Sequence, residues 1–103
     1  MDKILSLLGF AKKAGKLITG SNAVLRSILY GESELVIVTK DAGSSVHDKF
    51  KRICSENDIP FYFFESQEEF ERATGEKNKV IYSVVEAGFA DKLKQLICET
   101  KEN

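Results

Sequence analysis

The chain has 103 residues, 43% apolar and 30% charged, with a net charge of −1. That make-up suits one soluble globular domain with a core large enough to fold without disulfides or metal. No apolar run approaches the roughly 18 residues of a membrane helix, and Met1 to Phe10 lacks the cationic leader and cleavage site of an export signal.

Residues 2–13 place Ile4, Leu5, Leu8 and Ala11 on one helical stripe, stopped by Gly15. Lys16 to Thr19 reads as a short strand. Gly20 or Ser21 then caps a helix running to Tyr30, with Val24, Leu25, Ile28 and Leu29 on its buried face and Gly31 at its end. Leu35 to Thr39 is a near-continuous β-branched run, the pattern of a strand covered on both faces. The loop from Lys40 to Ser44 leads into a helix over about 45–57 with Val46, Phe50 and Ile53 inward. Ile59 to Phe64 is the next strand, with the only proline at its entrance. Ser66-Gln67-Glu68-Glu69 fits the capping box S-x-x-E and opens a short helix with Phe70 and Ala73 inside. A polar loop from Thr74 to Lys79 precedes the last strand, Val80 to Val85. Gly88 precedes a final amphipathic helix through Ala90, Leu93, Leu96 and Ile97, and residues 99–103 fray.

This alternation, free of repeats and linkers, predicts one domain over residues 1–103 with a single sheet between helix layers. The start of the second helix, the Lys40 loop and the Thr74–Lys79 loop are expected to converge at one end of it.

Cys54 and Cys98 form no C-x-x-C pair, and His47 is the only histidine. Four-ligand zinc is therefore not expected, nor is any other metal or cofactor, and the two cysteines read as free, mostly buried thiols in a reducing cytoplasm. Residues 1–52 carry nine Lys or Arg against five acids, whereas residues 53–103 carry six against eleven. A near-neutral total with one positive half argues against indiscriminate polyanion binding and suits a small, specific footprint.

The richest stretch runs from Ala14 to Arg26. It fails as a P-loop: five residues separate Gly9 from Gly15-Lys16, and Leu17 stands where Ser or Thr would hold magnesium. A helix start nevertheless presents unpaired N–H groups and a partial positive charge to an anion. Gly20 and Ser21 offer those amides. Asn22 and Arg26 lie one turn apart on one face, where an amide can read a base edge and a guanidinium can hold guanine or phosphate. Lys16 approaches from the strand. No such order surrounds His47, which reads as a solvated surface residue beside Ser44 and Ser45. The carboxylates Glu65, Glu68, Glu69 and Glu71 suit a helix start better than acid–base chemistry.

The whole chain, in order and spacing, resembles the kink-turn RNA-binding ribosomal-protein family, which includes archaeal large-subunit protein seven-Ae and eukaryotic protein thirty. The bacterial YlxQ-like branch is the nearest in pattern. The resemblance rests on Leu8 to Leu17 followed by Gly20 to Arg26, and is supported by Leu35 to Val38 with Lys40-Asp41-Ala42, Ile59 to Tyr62, and Phe70 to Gly75. It implies a three-layer α/β/α sandwich with a four-stranded mixed sheet. It also implies a monomeric, non-enzymatic, cytoplasmic protein whose partners are structured RNA, ribosomal RNA included, and a ribosomal or other protein. The family's G-x-N-E-x-x-K pattern reads tandem sheared G·A pairs, and Gly20, Asn22 and Arg26 match its glycine, asparagine and cation. Ala23 stands where the glutamate would be, which removes an acceptor for a guanine donor. The family's second contact, an apolar loop, falls here on Gly75 to Val80, polar except for Val80. Lys77, Asn78 and Lys79, together with Lys40, would reach phosphates instead. The alternative on the same fold is a protein–protein module with weakened or lost RNA binding.

Overall fold

The computed structural model describes residues 3–101. In chain order it contains α1 (Lys3–Lys13), β1 (Leu17–Thr19), α2 (Ser21–Leu29), β2 (Leu35–Val38), α3 (Ser44–Glu56), β3 (Phe61–Phe63), α4 (Gln67–Thr74), β4 (Ile81–Val84) and α5 (Ala87–Lys101). The strands form one mixed sheet in the order β1-β4-β2-β3. β4 is antiparallel to both neighbours, and β3 runs parallel to β2.

Strand periodicity divides the core in two. On one face Leu17, Leu35, Ile37, Tyr82 and Val84 pack against Leu8 of α1, Phe70 of α4 and Leu93 of α5. On the other, Val36, Val38 and Ile81 meet Val24 and Ile28 of α2 and Phe50, Ile53 and Cys54 of α3. β2 is buried along its whole length, as a strand sandwiched by both layers must be. The expected three-layer α/β/α architecture is therefore present.

Local stops follow the residues that specify them. α1 ends where the Lys16 N–H reaches the Ala11 carbonyl at 2.8 Å and the Gly15 N–H reaches Lys12 at 3.0 Å, a Schellman closure. The Ser66 hydroxyl accepts the Glu69 N–H at 3.3 Å at the head of α4. The Glu69 carboxylate turns to Arg72 at 3.0 Å.

Several expectations need correction. The strands are shorter than their apolar runs, because pairing ends where neighbouring chains diverge: β3 pairs only along Val36–Val38. Leu29 is not buried but 63% exposed. The inward stripe of α2 is Val24, Ser27 and Ile28, and Leu29 is rotated past it. Cys54 is buried as expected, whereas Cys98, one position beyond buried Ile97, faces solvent. His47 is half-buried and stacks on Phe63 with ring centroids 3.8 Å apart. α5 starts before Gly88 because the Glu86 carboxylate accepts the Phe89 N–H at 2.7 Å. It is helical through Lys101, and residues 102–103 lie outside the described ones.

Strand directions bring the ends of β1, β2 and β3 and the beginning of β4 to one edge. There the Gly20 N–H donates to Ile81 at 3.1 Å, Thr39 to Val80 at 2.9 Å, and Lys40 to Glu65 at 2.7 Å. The three loops expected to converge do so.

Candidate nucleic-acid interface

Gly20 joins β1 to α2 at φ 92° and ψ 150°, a conformation that favours glycine. A side chain there would also press on Lys79, whose Nζ lies 3.3 Å from the place of a Cβ. No side chain caps the helix and its first turn holds no acid. The N–H groups of Ser21, Asn22 and Ala23 thus lead an uncompensated positive helix end. Ser21, Asn22 and Arg26 are exposed. Among the described residues nothing bonds the Asn22 amide and no carboxylate pairs with Arg26.

Buried hydroxyls fix the pose of this helix on the sheet. Ser27 Oγ sits 2.7 Å from the Val24 carbonyl and 3.0 Å from Ser83 Oγ of β4, and Ser83 donates to Ser33 at 2.7 Å. α2 is thereby tied to the strand that the loop over 75–80 enters. A buried chain of this kind holds only while each member keeps a partner.

That loop is fixed from beneath. The Glu71 carboxylate accepts the Asn78 N–H at 2.9 Å, with Asn78 at φ 61°. The Tyr82 hydroxyl donates to the Lys79 carbonyl at 3.1 Å, and Thr74 Oγ1 accepts the Glu76 N–H at 3.2 Å. Burial, with Glu71 and Glu76 nearby, pushes the Tyr82 phenol up to about 12, so it stays a donor. Lys12 of α1 forms an ion pair with Glu76, and that hydrogen bond and charge hold the Glu76 carboxyl below its usual range. With Glu76 so engaged, Lys77 and Lys79 set the charge of the loop. Lys77 and Asn78 are exposed, while Val80 is half-buried with its carbonyl taken by Thr39.

Lys40 is exposed beside this loop. Its neighbour Asp41 is turned away to cap α4, accepting the Gln67 N–H at 3.1 and 3.2 Å. Gly20, Ser21, Asn22, Lys40, Lys79 and Val80 therefore gather at one edge, with Lys77 and Asn78 on the adjoining loop and Arg26 one turn along α2. Lys16 does not join them. It precedes the other end of β1, where its carbonyl accepts the Val85 N–H, roughly 13 Å of strand away from Gly20.

Lys12, Tyr82 and the serine chain were missed by sequence reasoning. Their partners lie 50 or more residues away, save for Lys79, and no local pattern marks them. The acidic cluster is structural, with Glu68 and Glu69 on Arg72. His47 Nδ1 lies 3.0 Å from Asp48 and its ring lies on Phe63. Among the described residues, no three His, Cys, Asp or Glu side chains form a metal-sized cluster.

Residues 2–94 match the ribosomal protein L7Ae/L30e/S12e/Gadd45 family. The chain belongs to this family. It is similar to the RNA-binding protein YlxQ of Bacillus subtilis, 33% identical over 88% of this chain and 91% of that one. The RNA-binding protein YlxQ of Enterococcus faecium is 35% identical, over 93% of this chain and 92% of its own. A solved structure of a Bacillus halodurans protein of unknown function superposes with a TM-score of 0.91 at 36% identity, covering 94% and 98% of the two chains. The family expected from the Leu8–Arg26 block, its YlxQ-like branch included, is the one found. Among the described residues no helix is long and apolar enough to cross a membrane.

Proposed function

We propose that this chain is a non-enzymatic, monomeric, cytoplasmic RNA-binding protein that recognises a kink-turn or similarly bent internal-loop RNA in association with the ribosome. Residues 1–103 act as one binding domain. The observation that carries this reading is the uncapped, acid-free start of α2, with Asn22 and Arg26 exposed and unpaired and Lys79 drawn beside Gly20. The leading amides take a phosphate, Asn22 meets base edges, and Arg26 takes guanine or phosphate. Lys40, Lys77 and Lys79 supply surrounding charge. A bent RNA concentrates phosphates, so a few cations suffice where a straight duplex needs many. Membership of a family described as ribosomal proteins, and relatives named as RNA-binding, support the same reading.

Asn22→Ala and Arg26→Ala test it by titration with a kink-turn RNA. Each is expected to cost roughly 1–3 kcal/mol if it contacts a base. Unchanged affinity in both variants would remove the site. A second reading, a ribosomal or other protein partner, is favoured by Phe10, which is 61% exposed beside a groove that includes Lys13 and Arg72.

A further inference from the structure

The Asn22–Arg26 face does not end at Arg26. Asn22, Leu25, Arg26, Leu29 and Tyr30 line one continuous open groove of about 350 Å³ along α2. Leu29 and Tyr30 are 63% and 73% exposed; the sequence placed Leu29 on the buried face and Tyr30 only at the end of the helix. Residues 22, 26 and 30 succeed one another at helical spacing, so the groove runs about 12 Å from the start of the helix.

Its far end is built firmly. The Tyr30 N–H donates to Arg26 at 3.0 Å, Gly31 to Ile28 at 3.1 Å, and Glu32 to Ser27 at 2.8 Å. Gly31 at φ 73° makes this closure possible. Tyr30 thus presents an aromatic ring from a fixed backbone next to an aliphatic floor.

We propose that this groove is a second RNA subsite, holding one or two unpaired nucleotides that flank the RNA seated at the start of α2. The inference rests on the RNA-binding reading above and extends it along the helix. The groove is continuous with that interface through Asn22 and Arg26, which line both. Its only charged lining residue is a cation, matching a phosphodiester. An exposed tyrosine beside leucine offers a base the stacking platform typical of single-strand recognition, which tolerates any sequence.

The test uses a kink-turn stem in two forms, blunt or carrying short adenosine tails at every strand end, titrated against wild type, Tyr30→Ala and Tyr30→Phe. Wild type is expected to bind the tailed RNA at least about fivefold more tightly than the blunt one. Tyr30→Ala abolishes that gain without changing affinity for the blunt stem, and Tyr30→Phe keeps it. Because Tyr30 is exposed, a thermal melt is expected to show all three folded alike. Equal affinity of wild type for tailed and blunt RNA overturns the subsite while leaving the kink-turn reading intact, as does a Tyr30→Phe variant no better than alanine. An unchanged tail gain in Tyr30→Ala does the same and leaves the groove to a protein. Failure of wild type to bind the blunt stem defeats the underlying reading itself.

Discussion

Replacing Ala23 with glutamate should make the protein both more stable and a better RNA binder. Ala23 is exposed in the first turn of α2, where no acid or side-chain cap offsets the positive helix end. A carboxylate there is worth about 0.3–1 kcal/mol. With an unfolding entropy of ~2.1 cal/mol/K per residue over 103 residues, that raises Tm by roughly 1.5–4.5 °C. On the RNA side, a carboxylate accepting from a guanine donor contributes about 1.5–3 kcal/mol. Repulsion from a phosphate some 8 Å away in water takes back about 0.5 kcal/mol. The net gain, about 1–2.5 kcal/mol, is roughly 5- to 70-fold in Kd. Thermal melting and fluorescence anisotropy with a labelled kink-turn RNA read the two effects separately. A variant that melts higher yet binds RNA no better, or more weakly, would refute the idea that this turn faces base edges.

Lys79→Ala is expected to reduce the dependence of log affinity on log salt by about one, whereas Lys16→Ala, at the other end of β1, leaves it unchanged; titrations at several salt concentrations distinguish them. Ser83→Ala leaves Ser33 without its donor and Ser27 without its acceptor on β4, both buried. A loss of about 1–3 kcal/mol is expected in denaturant unfolding. The Tyr82 phenol is raised from 10.0 to about 12, so the unfolded chain ionises first as pH rises. Its contribution to stability is intact below pH 10 and lost between there and about 12. Tyr82→Phe should flatten that part of the stability profile, as measured by melting in alkaline buffers.

Elements whose apolar residues recur at one period were legible without the structure: α1 from Ile4, Leu5, Leu8 and Ala11, and β2 from its unbroken branched run. Gly20, Asn22 and Arg26 were legible for the same reason, since a helix start and its next turn are set locally. Lys16 was misplaced because nearness in sequence along an extended strand is distance in space. Lys79 meets Gly20 only through the register of β4 against β1, and Lys12 meets Glu76 across 64 residues. Leu29 and Tyr30 have the composition of core residues. Only the packing of α2 against the sheet decides that they face outward.

The central claim, that the start of α2 reads bent RNA, is tested most directly by titrating wild-type protein with a kink-turn RNA and with a matched duplex lacking the G·A pairs, each at two salt concentrations. Tighter binding to the kink-turn RNA, falling steeply as salt rises, is the expected result. Equal affinity for the two RNAs would contradict it.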